Sequence, residues 1–333
     1  MPKKINMADQ FRGKKVLITG GLGFIGSNLA RKLVEFDAKI TIVDSLIEEY
    51  GGNLFNIDGF KDRLRVNIAD VRDPHSMAYL VRDHDYLFNL AGQTSHMDSM
   101  TDPDTDLEIN CRAQLSILEA CRRHNPTVKI VFAGTRQIYG KPDYLPVNEA
   151  HAIRPVDVNG INKMAGEHYH ILYNNVYGIP ACALRLTNTY GPRMRVKDAR
   201  QTFLGVWIRR IIEGETFEVW GGDQLRDFTY VDDAVEALML AATSDEANGR
   251  VFNLGGFRPF SLNEMADLLV EKYGGGKYQI CEFPADRKQI DIGSFYSDFS
   301  SIRESLGWEP TISEAEGLAA TIKFYQAHLK HYL

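Results

Sequence analysis

The chain has 333 residues, of which 44% are hydrophobic and 25% are charged, and its formal net charge at pH 7 is −6. This length and composition are typical of a globular protein with one large domain or two closely joined ones. The acidic balance offers no basic face for nucleic acid, so we expect no nucleic-acid partner.

Apolar runs separated by helical segments occupy residues 13–186, and each run is predicted to be a strand. The runs lie in the segments KKVLITGG, AKITIVDS, RLRVNIAD, DYLFNLAG, VKIVFAGT and ACALRLTN. Helical spacing follows the first run and recurs at about 107–123 and 158–177. Strands that alternate with helices, and that are apolar throughout, indicate a parallel sheet covered on both faces. We therefore predict an α/β protein with a Rossmann-type, doubly wound parallel sheet.

Residues 187–333 show a looser pattern. A polar, arginine-rich loop comes first, and two later helices are led by serine or threonine, FSLNEMADLLVEKY and TISEAEGLAATIKFYQAHL. This pattern predicts a smaller, mixed α/β C-terminal domain for substrate. A segment near 225–245 is expected to return to the first domain, which makes the second domain discontinuous.

Targeting and metal-binding patterns are not found in the sequence. The N-terminus is charged, and no apolar run reaches about 18 residues, so we expect no signal peptide, no membrane partner and a cytoplasmic location. The four cysteines are widely spaced and form no Cys-x-x-Cys pair. That spacing favours buried thiols over a zinc site or a disulfide framework, and no metal site is predicted.

A glycine-rich turn follows the first strand and opens the next helix. Its residues are Gly20, Gly23, Phe24, Ile25 and Gly26. Glycines in this G-x-x-G-x-x-G pattern let the backbone approach a pyrophosphate, whose charge then lies at the helix N-terminus. Asp44 ends the second strand, eighteen positions beyond Gly26. A carboxylate there binds ribose hydroxyls and repels a 2′-phosphate, so NAD is predicted rather than NADP.

Two further strand ends are candidates for the wall of the cofactor site. Asp70 and Val71 end the third strand, where an adenine edge would be held. Leu90, Ala91 and Gly92 end the fourth, where a turn of small residues can pass beneath the cofactor. Each alone is equally a plain strand-ending turn. Their order after the glycine-rich turn favours the cofactor wall.

These segments resemble the extended short-chain dehydrogenase/reductase family, specifically its NAD-dependent nucleotide-sugar epimerases and dehydratases. The likeness covers nearly the whole chain. Its motifs are TGGLGFIG (19–26), NLAGQTS (89–95), GTRQIYG (134–140), LRLTNTYGPR (184–193), LRDFTYVDDAV (225–235) and LGWEP (306–310). The resemblance implies that tightly held NAD removes a hydride from a sugar carbon, usually C4, to give a transient ketosugar. An epimerase then returns the hydride to the other face or inverts a carbon beside the ketone.

The resemblance places the catalytic hydroxyl on Thr135 and the catalytic lysine on Lys163, which would bind the nicotinamide ribose. The family's catalytic tyrosine falls on Asn159, four positions before that lysine. A tyrosine there can ionise near neutral pH and take the hydroxyl proton, whereas an amide does not titrate. Three explanations remain open. Another group acts as the base while Asn159 orients the hydroxyl, the substrate already carries a carbonyl or an acidic C–H, or the protein binds without turnover.

Candidates for the missing base lie elsewhere in the sequence. Thr135 is placed to relay a proton, and His96 and Asp98 follow the fourth strand near the expected substrate entrance. His170 lies about 10 Å along the helix axis from Lys163, so it is expected to pack instead.

The positions after Thr135 favour an epimerase over a dehydratase. In the family's 4,6-dehydratases an aspartate and a glutamate follow the threonine and supply the acid and base of elimination. Here the positions hold Arg136 and Gln137. Neither side chain titrates usefully, so water elimination lacks its usual groups.

The resemblance also implies the substrate contacts and the assembly. The residues expected to contact a nucleotide-diphosphate sugar are Thr94, Thr135, Asn188, Arg193, Arg226 and Arg287. Arginine forks match phosphate oxygens bidentately, which suits a diphosphate. Asp291, the partner acid of Arg287, stands one position further away than in the family. A homodimer formed through 110–123 and 158–177 is expected, and nothing in the sequence identifies the base or the sugar.

Overall fold

The computed structural model describes residues 6–284 and 288–333. The described residues form thirteen strands: β1 (Lys15–Thr19), β2 (Lys39–Asp44), β3 (Leu64–Ile68), β4 (Tyr86–Asn89), β5 (Lys129–Thr135), β6 (Ala181–Leu186), β7 (Asn188–Tyr190), β8 (Phe217–Trp220), β9 (Leu225–Arg226), β10 (Phe228–Tyr230), β11 (Val251–Asn253), β12 (Phe260–Ser261) and β13 (Tyr278–Cys281). The helices are α1 (Met7–Phe11), α2 (Phe24–Glu35), α3 (Pro74–Leu80), α4 (His96–Thr101), α5 (Pro103–Leu107), α6 (Ala113–His124), α7 (Val158–Tyr177), α8 (Phe203–Ile212), α9 (Val231–Thr243), α10 (Leu262–Tyr273), α11 (Ser300–Leu306) and α12 (Glu314–His328).

The central sheet has seven strands in the order β11-β6-β5-β4-β1-β2-β3, and every pairing is parallel. The chain builds outward from β1 to β3, then crosses to β4 and builds outward in the other direction. A ligand in such a sheet binds at the carboxyl ends of the strands, near the point where the order reverses. The predicted Rossmann-type, doubly wound fold is confirmed.

The strands are apolar throughout because both faces of the sheet are covered. Val16 and Ile18 of β1 belong to one hydrophobic cluster, while Leu17 between them belongs to another on the opposite face. All three side chains are completely buried. Alternate residues of a strand point to opposite faces, so a continuous apolar run is what this two-sided burial requires.

Two elements differ from the sequence prediction. The helix expected over 107–123 is interrupted by one π-helical turn, Glu108–Arg112, which separates α5 from α6. The central sheet also has an edge strand that was not predicted, β11, which pairs in parallel with β6. It follows, in the chain, the returning segment expected near 225–245. Three residues are too few to give a periodic signal, which is why the sequence did not predict this strand.

The C-terminal part of the chain contains both helices and short strands, and its division from the first domain stays a prediction. It contains three two-stranded pairings, β10 with β7, β12 with β9, and β13 with β8. Trp308, in the loop after α11, contacts α9: its indole N–H donates to the carbonyl oxygen of Asp233 over 2.9 Å. Within the described ranges, no helix is both long and apolar enough to cross a bilayer.

Candidate active site

The glycine-rich turn between β1 and α2 has the shape that a pyrophosphate needs. Gly20 has a φ of +68°, and its carbonyl accepts a hydrogen bond from Gly23 N over 3.1 Å. A Cβ on Gly26 would collide with that same carbonyl oxygen. Gly23 is the N-cap of α2 and supplies no capping side chain, so the first-turn amides remain open to an anion. The turn therefore fits the diphosphate of NAD.

Asp44 ends β2 with its carboxylate at the same cleft. Its two oxygens accept from Leu22 N over 3.0 Å and from Leu46 N over 2.9 Å. Burial raises the pKa of Asp44 above its usual value, an effect that these amides oppose. The fixed carboxylate at the end of β2 suits a ribose diol and would repel a 2′-phosphate.

The residues predicted to bind the cofactor all line one cleft at the carboxyl edge of the sheet. The walls of this cleft are the glycine-rich turn, Asp44 and the ends of β3, β4 and β5. It is referred to from here on as the cleft. Asp70 faces it with its carboxylate already paired to Arg72, whose Nη2 lies 2.6 Å away. The hydrogen bonds from Arg72 lower the pKa of Asp70. The expected substrate residues Thr94, Thr135 and Asn188 line the same cleft.

Helix α7 brings Asn159 and Lys163 to the cleft, one turn apart and both buried. The ammonium of Lys163 donates to the carbonyl oxygen of Ala133 over 3.3 Å. Burial lowers the pKa of Lys163 to about 8, although the charge of Asp106 opposes this change. A Cβ at Gly92 would lie 2.6 Å from the lysine nitrogen, so a larger residue at that position would displace the end of the Lys163 side chain.

The Asn159 amide is held by a buried hydrogen-bond network. Its Nδ2 donates to the carbonyl oxygen of Gln93 over 2.9 Å and to Asp106 Oδ2 over 3.0 Å. Asp106 is completely buried and also accepts from Asn110 over 3.0 Å and from Asn162 over 2.8 Å. Both amide hydrogens of Asn159 are therefore committed to the protein. The sequence analysis missed Asp106, whose spacing of four residues from Asn110 was the only available signal.

Thr135, at the end of β5, has its hydroxyl at the cleft, where it accepts from Gln137 N over 3.2 Å. The Gln137 side chain turns away and donates to Asp157 Oδ2 over 2.8 Å. The same carboxylate oxygen lies 2.9 Å from Nδ1 of His96, which also lines the cleft. A histidine and a buried aspartate therefore meet beside the position that Asn159 occupies.

The other two candidates for a base are engaged elsewhere. Asp98 Oδ2 accepts from Arg200 Nε over 2.7 Å. His170 is buried and stacks on Phe132 with ring centroids 4.4 Å apart, and its Nδ1 lies 2.7 Å from the carbonyl oxygen of Gly166. Burial lowers the pKa of His170 to about 4, so it is neutral at pH 7. The prediction that His170 packs is confirmed.

An arginine that the sequence analysis did not assign to substrate lies at the other end of the cleft. Arg136 is partly buried, and its Nη2 donates to Asn188 Oδ1 over 3.1 Å. Its Nη1 is buried and finds no acceptor within residues 6–284 and 288–333. Burial, with the nearby charge of Arg226, lowers the pKa of Arg136 to about 10. The free N–H groups of this cation fit an anionic ligand.

The structure does not bring the other predicted arginines to the cleft. Arg226 pairs with Asp291 over 3.2 Å and donates to the carbonyl oxygens of Leu225 and Gly293. Arg193 donates to the backbone of Asn56 over 3.1 Å and to the side chain of Asn28 over 3.2 Å. Both guanidinium groups connect chain segments in this structure, and neither lines the cleft, so their contact with substrate stays a prediction. Arg287 lies outside the described residues.

Comparison with known proteins gives relatives along nearly the whole chain. The protein is similar to a UDP-glucose 4-epimerase of Thermotoga maritima solved with UDP-glucose, with 30% identity, a TM-score of 0.85 and coverage of 95% of this chain and 99% of that one. A UDP-glucose 4-epimerase of Thermus thermophilus, solved with NAD, shows 27% identity and a TM-score of 0.83 over 94% of this chain and 99% of that one. A provisionally named UDP-glucose 4-epimerase of Methanocaldococcus jannaschii is 32% identical over 311 residues, 93% of this chain and 97% of that protein. Other relatives are named dTDP-glucose 4,6-dehydratase and UDP-glucuronic acid decarboxylase.

A family model described as NAD dependent epimerase/dehydratase family matches residues 16–255. The matched range contains the glycine-rich turn, Asp44, Asn159 and Lys163. The turn and the Asp44 carboxylate fit NAD, which is the cofactor. The chain therefore belongs to the NAD dependent epimerase/dehydratase family.

Proposed function

We propose that the protein is an NAD-dependent epimerase of a nucleotide-diphosphate sugar that works through a transient ketosugar. NAD, when bound, accepts a hydride from a sugar carbon and returns it. The observation that carries the epimerase assignment is the identity and the hydrogen bonding of the two residues after Thr135. Arg136 donates to Asn188, and Gln137 donates to Asp157, so no free carboxyl group occupies these positions. Elimination of water by the family's acid and base is therefore not supported.

The residues at the cleft have distinct roles in this proposal. Below about pH 8 the Lys163 ammonium is charged and stabilises negative charge that develops on a neighbouring hydroxyl oxygen. The Thr135 hydroxyl hydrogen-bonds the oxygen that is to become the ketone. Asn159 does not titrate, and its amide hydrogens already bind Gln93 and Asp106, so it positions the start of α7 rather than taking a proton.

Arg136 supports a diphosphate as the anionic part of the substrate. Its guanidinium is buried, and Nη1 lacks a partner among the described residues. Diphosphate oxygens match a guanidinium fork and would satisfy this N–H group. Arg136 thus takes the role that the sequence analysis gave to Arg193 and Arg226.

We also propose the homodimer that the family resemblance implies. Apolar side chains on α7 are exposed in the single chain: Ile161, Leu172, Val176 and Tyr177. Large apolar side chains left unpaired on one helix are typical of an interface. Light scattering is expected to give twice the chain mass. A monomer over the whole concentration range would contradict the dimer.

Proton NMR of the anomeric region tests the epimerase proposal. Purified protein with NAD is mixed with a panel of UDP-, GDP-, CDP- and dTDP-sugars. A new anomeric doublet that appears at the expense of one substrate supports epimerisation and identifies the inverted carbon. A product that has lost water would instead identify a dehydratase or another ketosugar-processing enzyme. Broadened signals without new species would identify a silent nucleotide-sugar-binding protein.

A further inference from the structure

We propose that His96, oriented by Asp157, is the catalytic acid and base that replaces the tyrosine missing at position 159. This inference rests on the proposed function, because it assigns the proton transfer of that reaction. It arises from two side chains that come from separate elements. His96 is the first residue of α4, and Asp157 is the N-cap of α7.

The two side chains form a dyad at the cleft. His96 Nδ1 lies 2.9 Å from Asp157 Oδ2, and the Asp157 side chain is completely buried while that of His96 is 38% exposed. The inner nitrogen of the imidazole is buried and lies against the carboxylate at ion-pair distance, although the two groups are not aligned as a hydrogen bond in this structure, and His96 also lines the cleft. A buried aspartate that holds one ring nitrogen fixes the tautomer and stabilises the imidazolium formed when the other nitrogen takes a proton.

Asp157 is itself fixed by the elements that carry the rest of the site. Its Oδ1 caps α7 by accepting from Gly160 N over 2.6 Å, and its Oδ2 accepts from Gln137 over 2.8 Å. Burial raises the pKa of Asp157, but the hydrogen bonds and the charge of His96 outweigh this effect and hold it below its usual value. The carboxylate thus stays ionised. Asn159 lies two residues further along α7, and Thr135 lies two residues before Gln137.

The other titratable side chains along the cleft have different tasks. Asp44 accepts two backbone amides, and Asp70 is paired with Arg72. Burial raises the pKa of Tyr50, so its hydroxyl stays protonated at pH 7. Lys163 has a pKa of about 8, which keeps it mainly charged at pH 7. Within the described residues, His96 is the cleft side chain that combines a basic nitrogen with a carboxylate partner.

Several charged groups lie on α4 and on the two helices packed against it, α5 and α7. Those on α4 itself are Asp98 with its partner Arg200. Those on the helices packed against it are Asp102, the N-cap of α5, with Asp104 and Asp106 of α5, and Asp157, the N-cap of α7, with Lys163 and Glu167 of α7. Asp98 is neutralised by Arg200 over 2.7 Å. Asp157 is the carboxylate in direct contact with the imidazole, so its replacement is the change that should alter the pH dependence.

The proton and electrons balance over one catalytic cycle. As the sugar C–H bond gives its hydride to NAD, the hydroxyl O–H bond on the same carbon breaks, its proton passes to Nε2 of His96, and a carbonyl forms. When the carbonyl carbon takes the hydride back on its other face, Nε2 returns the proton to the oxygen. The imidazole and the cofactor end the cycle as they began.

The test compares His96→Gln with His75→Gln, using whichever sugar of the panel wild type converts. His75 is exposed and lies on α3, outside the cleft and outside the proposed dimer face of α7. Loss of a general base typically costs 10²- to 10⁴-fold, so His96→Gln should lower the turnover rate at pH 8 by about 100-fold or more. The affinities for NAD and for the sugar should remain within about threefold of wild type. His75→Gln should leave turnover unchanged.

Asp157→Asn tests the positioning role, because asparagine is also a good N-cap and keeps α7 capped. The acid limb of the rate profile should move to lower pH in Asp157→Asn and should be absent from His96→Gln. Chemical modification gives a readout that does not require turnover. Diethyl pyrocarbonate should modify His96 in the free protein, and the bound nucleotide sugar that wild type converts should protect it about tenfold without protecting His75.

The outcomes separate the two proposals. An active wild type together with a fully active His96→Gln variant, or with His96 left unprotected by the sugar, would overturn the dyad alone. A wild type that converts no sugar of the panel would overturn the proposed function and the dyad with it. Loss of turnover and of the acid limb in His96→Gln, with ligand affinity retained, supports the dyad.

Discussion

Asn159 Nδ2 lies 3.0 Å from Oδ2 of the completely buried Asp106, at the position where the family resemblance places a catalytic tyrosine. The amide donates to this carboxylate and to the backbone of Gln93, so it fills the position with structural hydrogen bonds. A buried carboxylate is stable only when donors surround it, and Asn110, Asn159 and Asn162 supply three of them. The asparagine at this position is therefore part of a local hydrogen-bond network.

Asn159→Asp should destabilise the fold in a pH-dependent way. The change removes a donor and places a second carboxyl group beside Asp106, so one of the two must hold a proton in the folded state. A carboxyl whose folded-state pKa is raised costs nothing below its unfolded pKa and costs progressively more as the pH rises. Urea denaturation should show a small deficit at pH 4.5 and a loss of about 3 kcal/mol at pH 7.5.

The control for this variant is Asn175→Asp. Asn175 is exposed on the same helix and accepts a hydrogen bond from Asn174, which a carboxylate also accepts. Its unfolding free energy should match that of wild type within about 0.5 kcal/mol. An Asn159→Asp variant as stable as this control at pH 7.5 would mean that Asp106 does not depend on the amide.

Lys163→Met should raise the free energy of unfolding of the ligand-free protein. The folded-state pKa of Lys163 is lowered to about 8, so the unfolded chain binds the lysine proton more tightly between about pH 8 and pH 10.5. The penalty for the buried charge is fully present at pH 7 and disappears as the pH rises through that window. We expect a gain of about 2 kcal/mol at pH 7 that is nearly gone at pH 10.

Guanidinium denaturation at the two pH values measures this gain. Lys141→Met, at an exposed lysine, is the control and should change the unfolding free energy little at either pH. Equal stability of wild type and Lys163→Met at pH 7 would show that burial of the lysine charge does not destabilise the fold. Destabilising residues are common at functional sites, where they are retained because activity requires them.

Gly26→Ala should remove NAD binding. The new Cβ would collide with the Gly20 carbonyl oxygen and displace the turn that receives the diphosphate. Calorimetric titration should show a loss of NAD affinity of about 100-fold or more. Gly178→Ala is the control, because Gly178 has a φ of +68° and open space around it, far from the cleft. That variant should lose about 1 kcal/mol of stability while binding NAD normally.

Arg136→Gln should weaken binding of the diphosphate part of the substrate. A hydrogen bond to a charged group is worth about 1.5–3 kcal/mol, so the dissociation constant of the preferred nucleoside diphosphate should rise about 10- to 100-fold. Affinity for the parent nucleoside, which has no phosphate, should change little. The exposed Arg154 gives the control variant Arg154→Gln. Unchanged diphosphate affinity in Arg136→Gln would place the phosphates elsewhere.

The parts of the fold that follow local rules were predictable from the sequence. The apolar runs are strands because both faces of the sheet are covered, and the glycine spacing between β1 and α2 places a diphosphate at a helix N-terminus. β11 escaped prediction because three residues carry no periodicity. The π-helical turn at Glu108–Arg112 escaped because its residues keep an ordinary helical pattern.

The polar partners of the site could not be predicted in the same way. Asp106 and Asn159 meet across two helices, and His96 and Asp157 are 61 positions apart in the chain. Any arginine can bind phosphate, so the sequence favoured Arg193 and Arg226. In the structure Arg193 donates to Asn28 and Arg226 pairs with Asp291, and both partners are distant in sequence. Tertiary contacts decide which arginine beside the cleft keeps an unpaired N–H group, and among the arginines that line the cleft in the described structure this is Arg136.

Turnover of a substrate deuterated at C4 tests the central claim most directly. Protein with NAD is incubated in ordinary water with the C4-deuterated form of the sugar that gives a new anomeric signal, beginning with UDP-glucose. The account predicts an epimerised product that retains its deuterium at C4, because the same hydride leaves and returns. An epimerised product in which solvent hydrogen has replaced the deuterium at C4, or no product from any sugar of the panel, would contradict it.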